Sequence, residues 1–131
     1  MLSSCGIGSA EWMQQHGKPD YNSIRFYYMK AQTIDSTVIT NLMSRGGNNS
    51  DLLDKYLNCI VVNEAFNRVV SELPNGAEQT LKLRFGTDKT WYEISHIVGK
   101  SRMQCERYWK ANIKTVIASV SMIICDDVTP S

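Results

Sequence analysis

A chain of 131 residues, 43% hydrophobic and 21% charged, has the size and composition of one globular domain, or of one small domain with an appendage. No apolar run is long enough to span a bilayer, and the opening MLSSCGIGSAEW lacks the basic region and apolar core of a secretory signal, so a cytoplasmic location with no membrane partner is expected. The net charge of +1 is unevenly placed: between Lys82 and Lys114 eight basic residues face three acidic ones, a balance of +5 that leaves −4 elsewhere, as when one segment meets phosphates and another does not.

Residues 1–19 show no clear periodicity. A short helix fits residues 10–15, with Trp12 and Met13 docked on the body. Asp20 or Asn22 can then cap a helix reaching about Met43. Its apolar positions Ile24, Tyr27, Tyr28, Ala31, Ile34, Val38, Ile39 and Leu42 fall on one face. RGGNNS at 45–50 reads as a loop, and Asn49 or Ser50 as the next cap. The helix over 51–73 is the strongest of this half. Leu52, Tyr56, Cys59, Asn63, Phe66, Val70 and Leu73 make its stripe, Leu53, Leu57, Ile60 and Val69 widen it, and Pro74 ends it. Asn75, with Glu78 three residues on, caps a helix over 76–85, and Gly86 suits the left-handed residue after it.

Two further capping boxes follow. Thr90 precedes Glu93 by three residues, and Ser101 precedes Gln104 by three. Between them Ile94, Ile97 and Val98 read as an inward face, and Gly99 permits a left-handed turn. Two helices joined by a short glycine turn make the helix-turn-helix pattern. The last helix keeps its apolar spacing from Cys105 through Tyr108, Ile113, Val116, Ile117 and Val120 to Ile124, with fraying expected from Asp126 on. The expected fold is therefore all-α, with about five helices and no sheet. Residues 1–74 form a helical segment for packing or oligomerisation, and residues 75–131 a DNA-binding segment with an extended last helix. The end of that helix should pack back on the helix over 51–73.

The last helix divides by face. Cys105, Tyr108, Asn112 or Ile113, and Val116 fall inward; Arg102, Met103, Gln104, Glu106, Arg107, Lys110 and Lys114 fall outward. Arg suits guanine, Gln suits adenine, and Met can touch a thymine methyl, so Arg102, Met103, Gln104 and Arg107 are candidates for base edges. Lys89, Thr90, Lys100, Ser101 and Lys110 stand where backbone phosphates pass, and Lys114, farther along, can reach them too. Trp91 is expected in the core. Trp109, at the edge of the inward face, could meet the chain or a second subunit, and a homodimer reading paired half-sites fits the apolar surface. Cys5, Cys59, Cys105 and Cys125 form no CxxC, and with His16 and His96 they give no metal spacing. There is no Gly-rich phosphate loop and no nucleophile set beside a base. No cofactor, metal or enzymatic activity is therefore expected.

The run LKLRFG, TWYEISHIVGKS, RMQCERYWKANIKTV, within residues 72–116, resembles the fourth-region helix-turn-helix of bacterial sigma factors. Leu81, Leu83, Arg84, Phe85 and Gly86 look like its first helix and glycine stop. Thr90, Glu93, Ile94, Val98, Gly99 and Ser101 match its second helix and turn, and Cys105, Tyr108 and Ile113 its core positions in the third. Trp91 is similar to small phage regulators of the ArpU and RinA type, proposed activators of late genes. Lys100 and Asn112 depart from the family's apolar residues, and the segment upstream lacks the sigma-factor parts that bind the promoter's minus-ten element or the polymerase clamp. The resemblance implies a phage or prophage transcription regulator that binds double-stranded promoter DNA and acts through or beside RNA polymerase. Two other readings use the same residues: a packaging protein like the small terminase subunits, or a helix-turn-helix fold that binds protein.

Overall fold

The computed structural model describes residues 7–34 and 50–128, with the backbone alone at 50–55 and 126–128. Among these residues the chain is all-helical, with no strand: α1 Ala10–His16, α2 Tyr21–Ala31, α3 Ser50–Val70, α4 Asn75–Gly86, α5 Trp91–Val98 and α6 Arg102–Val128. None of the described helices is long and apolar enough to cross a membrane.

Local chemistry starts the helices. The Ser9 hydroxyl accepts from the Trp12 N–H at 3.2 Å and opens α1. Asp20 and Ser23 form a reciprocal capping box on α2, each accepting the other's N–H at 3.0 Å. This helix stops at Ala31, well short of Met43. There the Gln32 side chain donates to the Tyr28 carbonyl at 2.9 Å and the Thr33 hydroxyl to the Lys30 carbonyl at 2.8 Å. The Lys30 carbonyl, which a longer helix would pair with the Ile34 N–H, accepts from the Thr33 N–H and hydroxyl instead. The expected continuation through residue 43 and the loop at 45–49, Asn49 included, lie outside the described residues. Ser50 is already helical.

Four other expectations change. α3 ends at Val70, and a tighter turn carries the chain to Pro74, with the Leu73 N–H donating to the Val70 carbonyl at 3.0 Å. Asn75 is the first residue of α4 rather than its cap. Pro74 is the cap residue, and no side chain caps this helix. Glu78 instead faces Lys82 one turn on, at 3.5 Å. Gly86 is the last helical residue and its φ is not positive; Thr87, in extended conformation, ends the helix. What requires glycine at 86 is close approach, because a Cβ there would stand 2.7 Å from Cε2 of Tyr28. α6 continues past Ile124 to Val128.

One hydrophobic core draws on both sides of Pro74. Val62, Phe66 and Val70 of α3 meet Leu81 and Phe85 of α4, Ile24 and Tyr28 of α2, and Val116, Val120 and Ile124 of α6. The end of α6 does pack back on α3, as its apolar spacing indicated. Val62 is fully buried on α3, whereas Asn63 is half-buried and accepts from the Gln32 side chain at 2.9 Å. Tyr28 is buried too. Its hydroxyl donates to Asn67 Oδ1 at 2.9 Å, and burial pushes its pKa far above the usual phenol value. Trp12 belongs to the core and Met13 packs on it. Cys59 and Cys105 are buried thiols and Cys125 is half-buried; Cys5 lies outside the described residues.

Candidate nucleic-acid interface

α5, the turn Gly99–Ser101 and the start of α6 form a corner whose geometry follows from four residues. The Thr90 hydroxyl accepts from the Glu93 N–H at 3.2 Å, and the Glu93 carboxylate accepts from the Thr90 N–H and hydroxyl, both at 3.1 Å. Those bonds from Thr90 hold the Glu93 pKa below the usual carboxylate range. Gly99 takes the left-handed conformation, φ +78°, and its N–H donates to the Ser95 carbonyl at 2.9 Å. The Ser101 hydroxyl accepts from the Gln104 N–H at 3.1 Å, which sets the start of α6.

Burial then fixes which face looks out. Ile94 and Cys105 are both fully buried and anchor the two helices. Arg102, Met103, Arg107, Lys110 and Lys114 are exposed along one side of α6, and Gln104 and Glu106 are half-buried. Arg102 and Arg107 have no intramolecular ion pair among the described residues, so both guanidiniums are free to meet a partner. Lys100 and Ser101 are exposed in the turn. Lys89, half-buried, and Thr90, exposed, stand at the far end of α5. At 1.5 Å per residue the eight residues of α5 separate that end from Lys100 by about 12 Å. The candidate residues therefore form two clusters, one around the turn and the first turns of α6, the other at the start of α5.

Two positions stand otherwise than the sequence reading had them. Ile97 is 50% exposed, not inward. Ile94 is the fully buried residue of α5; Trp91, expected in the core, is half-buried like Ser95 and Val98, and a stripe centred between Ile94 and Ser95 leaves Ile97 about 110° away. Tyr92, 66% exposed, stacks edge-on with His96 on this outer side. Arg84 is the other. Its guanidinium lies 4.6 Å from the centre of the Trp91 ring, and its Nη1 donates to the Lys89 carbonyl at 3.3 Å. It fixes the loop before α5 and brings a cation to the Lys89 and Thr90 cluster. No periodicity links residues 84 and 91, which meet only because the loop Thr87–Lys89 turns back.

Trp109 supports the corner from behind. It packs within the chain, edge-on to Tyr21 and Trp91 and tilted on Phe85, with ring centres 6.2–6.3 Å apart. Asn112 donates to the Tyr108 carbonyl one turn back, at 2.8 Å, so this polar residue is satisfied within its own helix.

No family model matches the chain, and no curated protein and no solved structure matches it either.

Proposed function

We propose that this chain is a sequence-specific double-stranded DNA-binding transcription regulator, in which α5 and α6 act as a helix-turn-helix and the first turns of α6 enter the major groove. The observation that carries the reading is the exposure of Arg102, Met103 and Arg107 at the start of a helix fixed by the Ser101 cap and buried Cys105. Unpaired guanidiniums there can each bind guanine in a bidentate manner. Gln104 adds an adenine-type contact. Lys100 and Lys110 at one end, and Lys89, Thr90 and Arg84 at the other, supply phosphate contacts that set register. A phage or prophage origin and action beside RNA polymerase follow from the resemblance of residues 72–116. A dimer on paired half-sites would need a surface other than Trp109, which is packed within the chain.

The protein-interaction reading keeps one observation of its own, the exposed Tyr92 and Ile97 beside the reading face. Selection of bound sequences from random duplex DNA separates the two. The DNA reading expects an enriched motif and affinity that falls steeply with salt. An unenriched pool leaves the interaction reading in front.

A further inference from the structure

A groove of about 500 Å3 runs between the α1–α2 linker and the second half of α6, outside the proposed reading face. Arg102 and Ser121 lie nineteen residues apart on α6, about 28 Å along its axis. Ile117, Ala118 and Met122 give the groove an apolar wall, and Met122 is 62% exposed. Lys18 and Lys114 line it too, neither in an ion pair among the described residues. Asp20, the one carboxylate among its described lining residues, is committed to the Ser23 N–H at the start of α2. Ser121 lines it as well. Its side chain is 5% exposed and its hydroxyl has no hydrogen-bond partner among the described residues. Buried hydroxyls are almost always paired, so an unpaired one in a groove wall calls for an acceptor.

We infer that this groove binds a small amphipathic carboxylate that carries a second acceptor oxygen. The apolar body rests on Ile117, Ala118 and Met122, the carboxylate is taken by Lys18 and Lys114, and Ser121 donates to the second oxygen. As in small-ligand sites, an apolar lining holds the ligand and a few polar groups orient it. Because the groove and the proposed reading face share one helix, the ligand has the position of an effector. The inference stands apart from DNA binding and is tested without DNA.

The test is titration of the full chain, labelled on its methionine methyls, with 3-benzoylpropionate, with 4-phenylbutyrate, which lacks the ketone, and with the amide of the keto acid. The expected result is a saturable shift of the Met122 methyl with the Met103 methyl unmoved. The keto acid should bind about tenfold tighter than its amide, as a lost charge-assisted contact implies. Lys114→Gln should remove most of that preference, and Ser121→Ala should abolish the advantage of the keto acid over 4-phenylbutyrate. Both variants keep their helix and are checked for native melting. Equal binding of acid and amide, no shift at millimolar probe, or a shift with an acidic peptide alone would overturn the inference.

Discussion

The rings of Phe66 and Phe85 lie face to face, their centres 4.5 Å apart and their planes within 4° of parallel. Both are fully buried, and the stack joins α3 to α4 across Pro74. Tyr28 leans on both rings, and Tyr21 and Trp109 rest on Phe85. The proposed reading head is therefore braced through Trp109 by an aromatic cluster of the whole chain. Phe85→Ala should lower stability by about 3–5 kcal/mol, the range for losing a buried phenyl group. Urea denaturation followed by circular dichroism measures this. A loss under about 1 kcal/mol would mean that the cluster closes without Phe85.

The two glycines flanking this region should respond for different reasons. Gly99→Ala meets open space but must hold φ at +78°, so a loss of about 1–2 kcal/mol is expected, with Asn tolerated better than Ala. Gly86→Ala has no such backbone problem. It drives a methyl to 2.7 Å from the Tyr28 ring and should cost about 1–3 kcal/mol, with Asn no better than Ala. Thermal melts of the four variants check the contrast.

That contrast shows what was legible in the sequence. Thr90 with Glu93, Gly99 and the Ser101 cap act through bonds three or four residues long, and their spacing alone placed the corner. Gly86 looked like a helix stop and is a contact surface for Tyr28, fifty-eight positions earlier in the chain. The Ile97 side chain has helical spacing but the wrong angle, because the width of the buried stripe is set by the partners of α5. The early end of α2 is marked by Gln32, which bonds to Asn63 thirty-one positions on, a contact that local spacing does not reveal. The stacking of Arg84 on Trp91 had no signal at all, since a loop brings them together.

The capping box gives an acid-range prediction. Glu93 accepts from Thr90, which holds its folded pKa below its unfolded one, and Asp20 is held down likewise by Ser23. A depressed folded pKa contributes stability that is fully present above the unfolded value, about 4.3 for Glu and 3.9 for Asp, and that is lost as pH falls through the folded value. Glu93→Gln should therefore flatten the dependence of stability on pH below about pH 4.3 and leave neutral pH little changed in slope. Thr90→Ala should move the Glu93 titration upward. Carboxyl NMR titration reads this directly, and an unmoved Glu93 would contradict the box in solution.

Phosphate and base contacts should separate in salt. Lys110 is exposed on α6 beyond the first turns, so Lys110→Ala should weaken binding to every duplex alike and reduce the slope of log K against log salt by about one unit. Binding isotherms at several salt concentrations, on specific and scrambled duplexes, give both quantities. A loss confined to one sequence would instead make Lys110 a base reader.

The central claim is that the exposed start of α6 reads base edges. Its most direct measurement compares the intact chain with Arg102→Ala and Arg107→Ala, on the duplex enriched by selection and on single-base-pair variants of it. Each substitution should cost about 1–3 kcal/mol on the preferred duplex and erase discrimination at one base pair, with the melting temperature unchanged. Unchanged affinity and unchanged preference in both folded variants would contradict the claim and move the function to another face of the molecule.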